Sequence, residues 1–81
     1  MDQEENELRR RIAKRLRLAR LTAELTQDEL GHAAGVSRSF ISLVEHGARG
    51  IDVYRLRRLA LAAGTTLAAL IEEPAPPEGR D

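Results

Sequence analysis

The sequence predicts an all-α domain of five short helices. Three observations carry that expectation: Leu and Ala recur at intervals of three or four residues, β-branched residues never alternate with polar ones over a strand's length, and three sites share one helix-start chemistry. Tyr54 and Phe40 are the only aromatic residues, so the side chains that favour strands are scarce.

The first helix is expected from about Glu7 to Ala23, with Leu8, Ile12, Leu16, Ala19 and Ala23 as its apolar stripe. Arg9, Arg10, Lys14 and Arg17 lie mostly off that stripe, and the run from Arg9 to Arg20 reads as a solvated face. In "LTQDEL", Thr26 is the N-cap, Glu29 completes a capping box, and Leu25 and Leu30 staple across it. Ser37 caps the third helix between Val36 and Ile41, and Asp52 caps the fourth between Ile51 and Leu56. Gly35, Gly47 and Gly64 follow runs of helix formers, where left-handed C-terminal caps belong. A fifth helix spans about Leu67 to Glu72. Residues 1–7 read as a frayed acidic segment, 8–73 as the folded domain, and 74–81, "PAPPEGRD", as a disordered tail.

Eighty-one residues make one domain, too small for a large enclosed active-site cavity. The absence of Cys excludes thiol nucleophiles, disulfides and thiolate metal sites, and fits a reducing compartment. The longest uncharged run is the 13 residues Leu59 to Ile71, whereas a membrane span needs about 20 apolar residues. The opening "MDQEENE" lacks the basic-then-apolar pattern of a secretory signal. Formal charge is zero, yet residues 9–58 hold twelve Arg or Lys against five Asp or Glu, while both ends are acidic. Local field, not the sum, decides whether a surface attracts phosphate.

Between the second and third helices lies "TQDELGHAAGVSRSFISLVE". Gly35 makes the bend, Val36 plugs it and Ser37 restarts a helix at once, so the two helices must cross steeply. Gly31 supplies the small residue that a close crossing requires, at a helix-interior cost of about 1 kcal/mol relative to Ala. Leu30, Ala34, Val36, Ile41 and Val44 form the seam. On the third helix, Phe40, Ile41 and Val44 share one side; Ser39, Ser42 and His46 centre the other, flanked by Arg38 and Leu43.

The stretch "LTQDELGHAAGVSRSFISLVEHG" resembles the helix-turn-helix domains of Cro and lambdoid phage repressors, the xenobiotic-response-element type. Gln27, Gly35, Ile41 and Glu45 to Gly47 fall where that family has such residues, and "LRRLALAAGTTLAALI" is similar to its closing helices. The likeness runs from about Ile12 to Ile71. It implies a lambda-repressor-like fold whose third helix enters the major groove of double-stranded DNA. Arg38 would make bidentate contact with guanine, Ser39 and Ser42 would meet base edges, and Leu43 would touch a thymine methyl. Thr26, Gln27, His46 and Arg49 would hold phosphates. Arg20 and Glu45 would form a structural ion pair between the first and third helices. The family commonly has polar residues where this chain has Phe40 and Leu43, so an apolar protein-binding patch there is the rival reading.

Leu67, Leu70 and Ile71 share a face of the last helix and either close the core or meet a second copy in a homodimer. Two recognition helices would then read half-sites roughly 34 Å apart. His32 and His46 stand on different helices with no HExxH pattern, so no metal or cofactor is expected. No GxSxG turn or glycine-rich phosphate loop is present, and no catalysis is expected. The expected function is a small cytoplasmic regulator, bacterial or phage-encoded, acting at a palindromic operator. The alternatives are a DNA-binding antitoxin, or an interaction module without DNA binding; the protein partner would be a toxin or polymerase.

Overall fold

The computed structural model describes residues 3–74. Met1, Asp2 and residues 75–81, which hold nearly all of the expected Pro-rich tail, lie outside them. Within those residues the chain is all-helical: α1 (Gln3–Thr22), α2 (Gln27–Ala34), α3 (Arg38–Glu45), α4 (Val53–Ala62) and α5 (Leu67–Ile71).

α1 begins at Gln3, several residues before the expected Glu7, so the helix takes in residues 3–7. Glu4 and Glu5 favour the helix's positive end, Gln3 Nε2 donates to Glu7 at 3.4 Å, and Glu5 pairs with Arg9 at 3.9 Å. The helix also stops earlier than expected, at Thr22, and Ala23 is exposed and leaves the apolar stripe. Glu24 takes a left-handed φ of 61°, and Leu25 N–H then donates to the Arg20 carbonyl at 3.1 Å. That turn carries Leu25 inward to pack against the core.

Each later helix starts on a side-chain cap. Thr26 Oγ1 accepts from Glu29 N–H at 3.0 Å, while Glu29 Oε1 accepts from Thr26 N–H at 2.8 Å. Ser37, Asp52 and Thr66 accept from the amides of Phe40, Arg55 and Ala69 at 3.0, 2.9 and 3.0 Å. Two N–H groups of Arg55, backbone first and side chain second, hold the Asp52 carboxyl below its ordinary range. A depressed carboxylate contributes stability above its unfolded pKa and loses it as pH falls through the folded value. Asp52→Asn, which still caps, is therefore expected to flatten the fall in melting temperature between about pH 5 and about pH 2. Parallel curves for the two proteins would remove Asp52 from the acid response.

The core takes one fully buried side chain from every helix: Leu16, Leu30, Ile41, Leu59 and Leu70. Burying each is worth about 1.5–3 kcal/mol. Leu70 therefore faces its own protomer and is withdrawn from the expected dimer surface; Ile71 is exposed and Leu67 half-buried. Two arginines of α1 reach the far end of the chain. Arg15 Nη1 donates to the carbonyls of Ala69 and Glu72 at 3.0 and 2.7 Å, and Arg11 Nη1 to that of Ile71 at 3.2 Å. These bonds satisfy carbonyls that α5, at its C-terminus, would otherwise leave orphaned.

α2 and α3 meet at a turn where Gly35 adopts φ 74° and Val36 N–H donates to the Gly31 carbonyl at 2.9 Å. A Cβ at Gly31 would stand 2.7 Å from the Val36 carbonyl oxygen. That atom belongs to backbone pinned by the turn and cannot swing aside. Gly31→Ala would gain about 1 kcal/mol of helix propensity against about 1–3 kcal/mol of overpacking. The expected net is a loss, read as a lower urea midpoint; a raised midpoint would show that the helices part without cost.

Candidate nucleic-acid interface

α3 packs on one side and is bare on the other. Phe40, Ile41, Val44 and Glu45 are buried; Arg38, Ser39, Leu43 and the C-capping His46 are exposed, and Ser42 is half-buried. Arg38 makes no hydrogen bond or ion pair among the described residues, so its planar fork of donors is free at the start of the helix. The first turn of α2 stands beside it. Arg20, Thr26, Gln27, Asp28 and Arg38 line one polar hollow between the two helix starts.

The orientation of this face is fixed from behind by a fork of hydrogen bonds. Arg20 Nε donates to Glu45 Oε2 at 2.7 Å, and Arg20 Nη2 to Glu45 Oε1 at 2.9 Å. Arg20 Nη1 donates to the Leu25 carbonyl at 2.9 Å. Both residues of the pair are buried. The hydrogen bond to Glu45 raises the Arg20 pKa, against the opposing effect of burial, so the charge is permanent. Gln27 joins the fork, its Nε2 donating to Glu45 Oε1 at 3.1 Å. A side-chain amide carries two N–H bonds, so one is left uncommitted beside the hollow that Gln27 lines.

The other residues expected on the backbone are positioned in different ways. Thr26 spends a lone pair on its cap and keeps its hydroxyl proton for an outside acceptor. His46 Nδ1 lies 2.7 Å from the Ser42 carbonyl. A carbonyl only accepts, so Nδ1 carries the hydrogen and, in the neutral ring, Nε2 carries a lone pair. Arg49 Nε donates to the Gly50 carbonyl at 3.3 Å, and its guanidinium lies 4.7 Å from the Phe40 ring centroid.

Arg55 lies at the same distance from that ring, within reach of a cation–π contact. Phe40 is consequently covered, at 8% exposure, and the expected apolar patch of Phe40 with Leu43 reduces to Leu43 alone. Sequence reasoning missed both the contact of Arg55 with Phe40 and the bond of Gln27 to Glu45. Each joins residues 15 or more positions apart, and local spacing carries no signal for either. Among the described residues no three His, Cys, Asp or Glu gather as metal ligands, and no helix is long and apolar enough to cross a membrane.

A family model described as helix-turn-helix, HTH_3, matches residues 16–70. Among solved structures, a hypothetical transcription factor from Neisseria shares 30% identity at a TM-score of 0.78, over 86% of this chain and 80% of that one. The restriction-modification controller protein C.AhdI from Aeromonas hydrophila shares 27% at 0.76, over 82% of this chain and 96% of that one. An HTH_3 family transcriptional regulator from Vibrio cholerae has the same fold at 21% identity and a TM-score of 0.76, this chain covering 82% of itself and 37% of that protein. No curated protein matches.

Proposed function

This chain belongs to the HTH_3 helix-turn-helix family, and from that premise we propose a sequence-specific transcriptional regulator that lays α3 in the major groove of duplex DNA. One observation carries the reading: the strip of exposed Arg38, Ser39 and Leu43 with half-buried Ser42 lies on a helix whose other side is locked by the core and by the Arg20–Glu45 fork. Arg38 reads guanine through O6 and N7, the serines reach neighbouring base edges, and Leu43 meets a thymine methyl. Thr26, Gln27 and Arg49 donate to phosphates and carry no sequence information, and His46 stands beside the same backbone at the end of α3.

Exposed Ile71 with half-buried Leu67 offers a second copy an apolar edge, so the operator is a palindrome read by a homodimer. Such a protein acts by occupying its site, as a repressor or a controller of neighbouring genes. The controller reading gains support from the similarity to the Aeromonas protein, nearly all of whose length this chain covers. A protein-only binding module is disfavoured because Phe40 is covered by two guanidinium groups.

Selection from a random duplex library with purified protein, read by sequencing, tests the proposal. The expected product is a two-fold symmetric motif. Folded protein that enriches no motif at low salt would overturn it.

A further inference from the structure

The seven basic residues of α1 divide by what they touch. Arg11 and Arg15 serve the carbonyls at the end of α5. Arg20 holds Glu45, and Arg9 bonds Asn6 and pairs with Glu5. Arg10, Lys14 and Arg17 make no hydrogen bond or ion pair among the described residues, and all three are exposed. Their spacing puts them on one face of α1, over about 10 Å of helix. They line a single groove, whose opposite wall is Glu45, His46 and Gly47 at the C-terminal end of α3. Both carboxylate oxygens of Glu45 are already committed to Arg20 and Gln27. The field in the groove is therefore cationic.

We propose that this groove is a second backbone site on DNA. It takes phosphates of the strand that walls the major groove beside the end of α3, outside the bases α3 reads. The inference rests on the DNA-binding reading above. α3 has 8 residues, about 12 Å of helix, and the major groove is about 12 Å wide. A helix that reads bases with its first residues thus brings its C-terminal cap to the groove wall, where phosphates run.

The test is equilibrium binding of the intact protein, and of an Arg10→Gln, Lys14→Gln, Arg17→Gln variant, to the selected duplex and a scrambled one across a salt series. Each phosphate contact adds about 0.9 to the slope of log K against log salt. The variant is expected to fold as before, to weaken equally on both duplexes, and to show a slope shallower by about two to three. An unchanged slope would overturn the site. Failure of the unaltered protein to select any motif would instead strike the DNA-binding reading itself, so the two failures are separable.

Discussion

Glu45→Ala is expected to cost about 3–5 kcal/mol of folding free energy, because it leaves a buried cation without its counter-charge. Arg20 is only 7% exposed, and after the substitution just the Leu25 carbonyl would face its guanidinium. A domain of 81 residues holds about 4–12 kcal/mol in all. The variant should therefore populate its unfolded state heavily at 37 °C, as urea titration followed by far-UV circular dichroism would show. Replacing both partners by apolar residues, Arg20→Met with Glu45→Leu, should recover much of the loss, since the penalty belongs to the orphaned charge and not to the pair. A Glu45→Ala midpoint within about 1 kcal/mol of the parent would mean that water reaches Arg20.

Arg38→Ala is expected to weaken cognate binding by about 1–3 kcal/mol, roughly 5- to 150-fold, and to relax discrimination at one base pair. Because Arg38 is exposed and contacts no described side chain through hydrogen bond or charge, the melting temperature should not move. The contrast with the α1 residues is diagnostic. Loss of a base contact changes which sequence is preferred, whereas loss of a phosphate contact changes all sequences alike and alters the salt slope. Unchanged affinity and preference together would remove Arg38 from the reading surface.

Local chemistry makes much of this structure legible in the sequence. The caps at Thr26, Ser37 and Asp52 announce three helix starts because each satisfies amides within three residues, and the glycine at position 35 announces the turn because few residues accept its positive φ. The outward strip of α3 follows from helical period alone. What stayed hidden depends on side chains meeting across the fold. No spacing rule distinguishes Arg11 and Arg15, which serve α5, from Arg10 and Lys14, which serve nothing inside the protein. The sequence offers Phe40 as part of an apolar patch with Leu43 because nothing local shows its cover, which comes from Arg49 in the loop after α3 and Arg55 in α4. Leu70 shared a sequence pattern with Ile71, and only packing turned one inward.

The bonds from Arg11 and Arg15 to α5 bear on the order in which the molecule assembles. They join positions 54 to 60 residues apart, so nearly the whole chain must be closed into a loop before they form. Closure entropy grows only slowly with length, yet it must be met before such contacts repay it. The helix pair α2 and α3, joined through a three-residue turn, carries no such debt and can act as a seed. α5, with 5 residues, then docks last and opens first. In amide exchange its protection should fall below that of the reading helix, and the edge offered to a second copy would be the most loosely held part of the protomer.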